Sequence, residues 1–336
     1  MKILLRIILG IVGLVAVVAA CGLAYLFLSY PRVPPAGDVR ITATPEALAR
    51  GEYLVDHVSI CFDCHSERDW DKFAGPLKPG TLGKGGEAFD KTVDPQFPGA
   101  VYAKNITPAG IGSWTDGEVL RAVVEGVSRD GTPLFPLMPY PRYGQMSEDD
   151  VHAMIAYVRT LKPIENAVPD RSLDFPMNLI VRTIPGPAVF KPRPPASDKI
   201  VYGEYMTNAA LCSECHTPMD SQGQPLPGKT FAGGNTFKHP NYGFRVVTAN
   251  ITPDADTGIG SWTEQQFIDK FKGFETPNDQ TLSDAEQRQN TAMPWTRYAG
   301  MTREDLAAIY AYLRTLQPVV NRINKHPDDN SGGLGR

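Results

Sequence analysis

Two short stretches of the sequence share one pattern, Cys-Phe-Asp-Cys-His at residues 61–65 and Cys-Ser-Glu-Cys-His at residues 212–216. Both fit C-x-x-C-H, the signature of covalent c-type haem attachment. Cysteines three residues apart lie on one face of a helical turn, so their sulfurs can bond both vinyl groups along one side of a porphyrin. The adjacent histidine then places an imidazole nitrogen under the iron. We therefore expect two covalently attached haem c groups, bonded by Cys61, Cys64, Cys212 and Cys215, with His65 and His216 as iron ligands.

A zinc site and a redox dithiol are the alternative interpretations of this motif. Zinc usually takes four protein ligands, and one site made from both motifs would leave ligands over, because each motif already ends in histidine. A redox dithiol has no use for the histidine in both copies. The repeated motif therefore favours haem. Four of the five cysteines lie in the motifs, which leaves no pair for a structural disulfide.

Length and composition indicate a folded protein of two domains. The chain has 336 residues, of which 42% are hydrophobic and 21% charged. Its formal net charge is −4, and no basic stretch is present, so we expect no nucleic acid partner.

The N-terminus, residues 1–30, is predicted to be a transmembrane anchor in the cytoplasmic (inner) membrane. Residues 7–28 carry no charge, and a helix of that length spans about 33 Å, enough for a hydrocarbon core of about 30 Å. Lys2 and Arg6 precede it, which predicts a cytoplasmic N-terminus and a soluble part on the periplasmic side. A cleaved signal peptide and lipidation at Cys21 are alternatives, but the apolar stretch exceeds a usual signal peptide and continues past Cys21.

The soluble part is an internal repeat with its segments in the same order in both copies. The repeat predicts two mostly α-helical domains, 41–163 and 197–320, joined by a proline-rich linker, 164–196, and followed by a tail, 321–336. Helix N-caps are predicted at Thr115 and Thr263, with capping boxes, and at Ser147 and Thr302. The paired segments are 51–53 with 203–205, 105–108 with 250–253, 110–115 with 258–263, 138–140 with 293–295, and 157–161 with 312–316.

Met138 and Met293 are the predicted sixth ligands of the two irons. Each precedes a proline, which disfavours helix at the methionine, so an extended loop can hold the thioether against a flat ring. Met146 and Met301 also recur, but they precede N-caps and are assigned to packing. Bis-histidine ligation is the alternative, although the remaining histidines have no counterpart in the other copy. Histidine–methionine ligation fills both axial positions, which suits electron transfer better than catalysis.

The haem propionates need hydrogen-bond donors, and donor side chains recur around the predicted haem loops. Trp114, Trp262, Arg142 and Arg297 are predicted to contact the propionates. Asn105, Asn250, Tyr143 and Tyr298 are secondary candidates, with turn formation and core packing as the alternative roles.

Taken together, these motifs resemble the membrane-associated cytochrome c subunits of bacterial alcohol, gluconate and aldehyde dehydrogenase complexes, from about Ala47 to Pro318. The resemblance implies class I cytochrome c domains, extracytoplasmic haem attachment, and electron transfer from a periplasmic dehydrogenase toward quinone or an oxidase. The chain differs in having two haem motifs where those subunits usually have three, and in its N-terminal anchor.

The leading hypothesis is a dihaem electron carrier without catalytic activity of its own. It would connect a periplasmic dehydrogenase or quinol-oxidising complex with a downstream acceptor or oxidase. The alternative is a dihaem enzyme of the peroxidase or thiosulfate-oxidising type, which would need one open iron. A structural subunit of an oxidase or reductase complex is the third possibility.

Overall fold

A computed structural model describes residues 1–220, 223–239, 241–276 and 279–329, and it is mostly helical. The predicted tail lies outside the described residues from 330 onward. We call residues 41–163 the first half, residues 197–320 the second half, and residues 164–196 the linker.

The first helix, α1 (Lys2–Ser29), confirms the predicted N-terminal apolar helix. None of its residues is buried against the rest of the chain. The helix is long and apolar enough to cross a membrane.

The two halves are built from corresponding elements. The first half has α2 (Pro45–Tyr53) and a π-helical turn (Leu54–Val58), then α3 (Cys61–His65), β1 (Ala88–Phe89), β2 (Gly99–Tyr102), α4 (Pro108–Ile111), α5 (Asp116–Glu125), α6 (Tyr140–Tyr143) and α7 (Glu148–Val158). The linker has β3 (Ser172–Leu173), α8 (Met177–Ile180) and a 3-10 turn (Val181–Thr183). The second half has α9 (Lys199–Ala209), α10 (Cys212–His216), β4 (Thr236–Lys238), β5 (Arg245–Val247), α11 (Glu264–Lys272), α12 (Asp284–Gln287), α13 (Trp295–Tyr298) and α14 (Arg303–Leu313).

The predicted helix starts are confirmed at corresponding places. Thr115 and Thr263 each begin a helix with a complete capping box. Ser147 and Thr302 each accept a hydrogen bond from a backbone N–H of the first helical turn. Such caps satisfy N–H groups that have no partner within the helix, so they are decided by local sequence.

A glycine in each half lets two helices touch backbone to backbone. A Cβ atom on Gly51 would lie 1.9 Å from the carbonyl oxygen of Ala153, and one on Gly203 would lie 1.9 Å from that of Ala308. Helix α2 thereby crosses α7, and α9 crosses α14. This contact explains why glycine occurs at both positions of the repeat.

The halves differ by one residue just before the haem motif. The segment from Gly51 to Cys61 is one residue longer than the segment from Gly203 to Cys212. The π-helical turn Leu54–Val58 takes up the additional residue, whereas α9 remains α-helical. A π turn can absorb one residue without ending the helix, so the motif keeps the same position in both halves.

The linker packs against the first half. Strands β1, β2 and β3 form one antiparallel sheet, with Phe89 opposite Val101 and Gly99 opposite Leu173. In the second half, β4 and β5 form a two-stranded sheet, and Phe237 lies opposite Val246. Buried residues of both halves form one continuous hydrophobic core.

The structural repeat extends slightly beyond the last helix of each half. The side-chain amide of Asn166 donates to the carbonyls of Lys84 and Gly85, and that of Asn321 donates to Ala232 and Gly233. Each asparagine therefore bonds the segment after the last helix to the loop that follows the haem motif.

Candidate haem sites

Each C-x-x-C-H motif forms a short helix that begins at the first cysteine and ends at the histidine. The residue before each helix, Ile60 or Leu211, has a left-handed backbone with φ of 45° or 57°. This conformation costs a non-glycine residue about 1–2 kcal/mol, and such strain is concentrated at functional sites. In both halves it turns the chain sharply, so that the preceding helix ends and the motif helix starts in a new direction.

The two motif histidines are held in the same way. The Nδ1–H group of His65 donates to the carbonyl of Lys104 over 2.6 Å, and that of His216 donates to the carbonyl of Ala249 over 2.7 Å. Because a carbonyl only accepts hydrogen bonds, the proton is on Nδ1 and Nε2 keeps its lone pair. Burial lowers the pKa of both histidines, which favours the neutral ring. Each imidazole is therefore prepared to bind iron through Nε2.

These carbonyls belong to Lys104 and Ala249, the residues that directly precede the two Asn-Ile-Thr-Pro segments. The amide of Asn105 donates to the carbonyl of Ile164, and its oxygen accepts from Thr107. In the second half, Asn250 makes the corresponding hydrogen bonds to Val319 and Thr252.

The donors of Asn105 and Asn250 are thus engaged with the protein backbone. The same holds for Tyr143, whose hydroxyl donates to the carbonyl of Ser59, and for Tyr298, whose hydroxyl donates to Ala210. Both carbonyls lie two residues before the first cysteine of a motif. The four secondary candidates therefore hydrogen-bond to backbone segments near the motifs. This fits their alternative role in turn formation and core packing.

The motif cysteines have the chemistry of a haem attachment site. All five cysteines of the chain are free thiols. Cys61 and Cys212 are partly buried, which raises the pKa of both thiols to about 12, whereas Cys64 and Cys215 are exposed. Redox-active dithiols instead have lowered pKa values, so the thiols argue against a redox dithiol. Across the described ranges, no group of three or more Cys, His, Asp or Glu side chains is placed to hold a metal ion.

Met138 and Met293 occupy the same place in their halves. Each lies in a bend just before a short helix, α6 or α13, and is partly buried against the core. In both loops the methionine carbonyl accepts a 2.8 Å hydrogen bond from the residue two positions later. Met146 and Met301 are instead fully buried, 0% and 1% exposed. The placement agrees with packing for the second pair, and iron ligation by the first pair stays a prediction.

The tryptophans and arginines predicted to contact the propionates differ in their surroundings. Trp114 and Trp262 are partly buried against the core. Arg142 donates from Nε to Glu214 over 2.5 Å. Arg297 donates to Asp56 over 3.1 Å and lies 3.9 Å from Asp63. Both arginines thus have carboxylate partners in the opposite half, so their contact with propionates rests on the sequence alone.

These arginine pairs are reciprocal. Glu214 is the third residue of the second motif, and Asp63 is the third residue of the first. Each half therefore places an arginine, from just after its own Met-Pro loop, against the haem motif of the other half. The acidic residue at the same position in both motifs is the sequence signal that could have indicated this arrangement.

Further reciprocal hydrogen bonds extend this interface. Tyr53 donates to Asp305 over 2.5 Å, and Tyr205 donates to Asp150 over 2.6 Å. His57 lies 3.1 Å from the carbonyl of Arg297, and the amide of Asn208 donates to the carbonyl of Arg142 over 3.1 Å. The halves are thus related by an approximate twofold axis, and the two motifs face each other across it.

Several curated proteins have similar sequences. The cytochrome c subunit of the quinone-dependent alcohol dehydrogenase of Gluconobacter oxydans is 28% identical over 311 residues, 86% of this chain. The fructose dehydrogenase cytochrome subunit of Gluconobacter japonicus is 28% identical over 302 residues, 85% of this chain. The chain is a homologue of dehydrogenase cytochrome c subunits. It spans 60% of the first relative and 56% of the second. No family model matches the chain.

A further homologue is a dihaem cytochrome of c-type from Cereibacter sphaeroides, 27% identical over 314 residues. That match covers 90% of this chain and 97% of the relative. Cytochrome c homologues imply covalently bound haem c. The donor set fits this group, because each motif offers two thiols for thioether bonds and one imidazole with a free Nε2.

Proposed function

We propose that the chain is a membrane-anchored dihaem cytochrome c that transfers electrons between a periplasmic dehydrogenase or quinol-oxidising complex and a downstream acceptor or oxidase. Its soluble part would consist of two tandem class I cytochrome c domains, 41–163 and 197–320. The observation that carries the proposal is that His65 and His216 are held in the same way. In each, Nδ1–H is bound to a carbonyl and Nε2 is free.

The duplication supports two haems. In each half, the cysteines, the histidine and the proline-flanked methionine have matching surroundings. A dihaem relative is covered over almost its whole length. Cys61 and Cys64 would hold one haem, and Cys212 and Cys215 the other.

The proposed iron ligands limit what each site does. Bound haem c would supply a one-electron couple. Met138 and Met293, as neutral sulfur ligands, would favour the reduced state and keep water and peroxide away from the iron. The carbonyls of Lys104 and Ala249 would keep the histidine rings in one orientation. Such closed sites are suited to accepting and passing electrons rather than to catalysis.

The interface supports transfer between the halves. The ion pair of Arg142 with Glu214, and the contacts of Arg297 with Asp56 and Asp63, fix the two motifs relative to each other. An electron could therefore enter at one half and leave from the other within a single chain. A fixed distance matters because only rigidly positioned groups keep a constant transfer geometry.

A dehydrogenase is the proposed partner, because the relatives are named as subunits of alcohol and fructose dehydrogenases. Helix α1 would anchor the chain in the cytoplasmic membrane, with both haem domains on the periplasmic side. The basic residues Lys2 and Arg6 before the apolar stretch support this orientation.

The proposal can be tested by counting haems in full-length protein matured in a bacterial host. Wild type should contain two haems per chain with low-spin spectra. Replacing Cys61 and Cys64 by alanine, or Cys212 and Cys215, should leave one haem in each case. High-spin ferric haem in the native protein, with rapid peroxide turnover, would instead favour the dihaem enzyme.

A further inference from the structure

We propose that the linker segment 175–184 is a second membrane contact, lying in the headgroup region of the bilayer beside the end of α1. The inference rests on the proposed anchoring of α1. It adds a surface-lying segment to the anchor and assigns phospholipid as its partner.

The first observation is an apolar surface on this segment. Ile180 and Ile184 are 44% and 36% exposed, and Phe175 is 79% exposed. The two isoleucines flank the 3-10 turn Val181–Thr183, and we call them, together with Phe175, the patch. Val181, between them, is fully buried and attaches the segment to the protein. The segment therefore turns large apolar side chains outward, as membrane-surface segments do.

The second observation fixes the level of this patch along α1. Arg182 donates to the backbone carbonyl of Tyr30 over 2.8 Å, and its guanidinium lies 4.6 Å from the ring centre of Phe27. Phe27 belongs to the uncharged stretch and lies about 4.5 Å before Tyr30 along the helix axis. The neighbours of Arg182, Ile180 and Ile184, are thus level with the last turn of α1, where the hydrocarbon core would end.

Aromatic residues mark the same level. Tyr25 and Tyr30 lie at the end of α1 with their rings in edge contact, 6.2 Å apart. Arg32 donates to the hydroxyl of Tyr25 over 3.0 Å and stacks on the ring of Tyr30. Tyrosines with basic side chains beside them are typical of the membrane–water boundary.

The third observation is positive charge beside the patch. The guanidinium of Arg182 lies against Tyr30 and Phe27, and that of Arg32, an exposed residue, lies against Tyr25 and Tyr30. Guanidinium N–H groups bind phosphate oxygens strongly. Apolar side chains next to such donors match a phospholipid, which offers acyl chains and phosphate at adjacent depths. Continuity with α1 favours lipid over a protein partner.

The contact would have a consequence for electron transfer. The tether between α1 and α2, residues 31–44, contains no helix or strand, and Ile41 near its end donates to Asp116 of the first half. A second attachment through the linker would fix the first half, because β3 of the linker pairs with β2. The first haem motif would then face a membrane-bound partner in one orientation.

The test measures depth with nitroxide labels on the full-length, haem-loaded, reduced protein in vesicles of phosphatidylethanolamine and phosphatidylglycerol. A Cys21→Ser background would carry Ile180→Cys or Ile184→Cys, each labelled separately. Leu28→Cys at the end of α1 is the bilayer reference, and Val320→Cys, at a position 75% exposed in wild type, is the water reference. Collision with oxygen reports the bilayer, and collision with a water-soluble nickel chelate reports solvent.

We expect the oxygen-to-nickel ratio at 180 and 184 to be several-fold higher than at 320 and close to that at 28. Ratios at 180 and 184 equal to that at 320, with a bilayer ratio at 28, would overturn the linker contact and leave the anchor intact. Protection of 180 and 184 from both reagents would show a protein cover and would also overturn it. A water-like ratio at 28 would instead refute the anchoring itself, and the linker contact with it.

Discussion

The two halves of the molecule contain matching elements, but the contacts between them are only partly symmetric. The reciprocal contacts treat the halves equally, as with Tyr53 on Asp305 and Tyr205 on Asp150. A second set is one-sided, because a loop of the first half inserts against the second. Trp70 packs edge-on against His239, and Phe73 stacks on Phe274. The sequence repeat thus gives both haem motifs equivalent supports. The one-sided contact makes the wider environments of the two halves unequal.

The two haem motifs also differ in the burial and ion pairing of their acidic residues. Asp63 in the first motif is 6% exposed and lies between Arg68 and Arg297. Glu214 in the second motif is 34% exposed and pairs with Arg142 alone among the basic side chains of the described ranges. Charges act more strongly where water is excluded. We therefore expect the two haems to have different redox potentials, although their proposed ligands are the same.

The largest expected effect is the loss of a proposed iron ligand. Met138→Ala and Met293→Ala should each remove about half of the methionine–iron spectral signal, because each leaves the other half intact. Met146→Leu is the matched control and should leave the spectrum unchanged. If neither alanine variant disturbs iron coordination, the ligand assignment is wrong.

Substitution of the crossing glycines should be nearly as damaging, and equally so in both halves. Gly51→Ala and Gly203→Ala place a methyl group 1.9 Å from a carbonyl oxygen, so we expect a loss of about 3 kcal/mol in the free energy of unfolding. Denaturant unfolding of the haem-loaded protein measures this. Gly186→Ala, where the added Cβ meets nothing within 4 Å, is the control. Equal stability of all three variants would contradict the close helix contact.

The one-sided contact should make stability depend on pH. Burial lowers the pKa of His239 to about 4, and its Nε2 accepts from the amide of Asn290 over 3.3 Å. Because the unfolded histidine takes up a proton near pH 6.5 and the folded one near pH 4, stability falls as the pH decreases through this window. We expect a loss of roughly 3 kcal/mol. His239→Gln should lose less stability over the same window, and an unchanged pH profile in that variant would contradict this origin.

The smallest effects should separate the two arginines. Removal of Arg297 leaves the buried Asp63 with weaker compensation, so Arg297→Gln should cost about 2 kcal/mol. Arg142→Gln should cost less than about 1 kcal/mol, because its partner Glu214 is better exposed to water. Chemical denaturation of both variants gives the comparison. A larger loss for Arg142→Gln would show that the difference in burial does not decide the energetics.

The sequence by itself determined the parts that depend on neighbours along the chain. Examples are the capping boxes at Thr115 and Thr263, the apolar helix α1 and the haem motifs, each of which depends on residues close together in sequence. The capping boxes and motifs occur in the same order in both copies of the repeat. Their physical basis is local, namely satisfied N–H groups at a helix start, uninterrupted apolar residues, and cysteines one turn apart.

Only the tertiary structure decided which distant groups meet. The partners of Arg142 and Arg297 lie 72 and 241 residues away, in Glu214 and Asp56, and the sequence had suggested propionates instead. The carbonyls that orient His65 and His216 were likewise not predicted, because any backbone carbonyl is chemically alike. Such contacts depend on how loops return and how the halves dock, and side-chain chemistry alone does not specify that geometry.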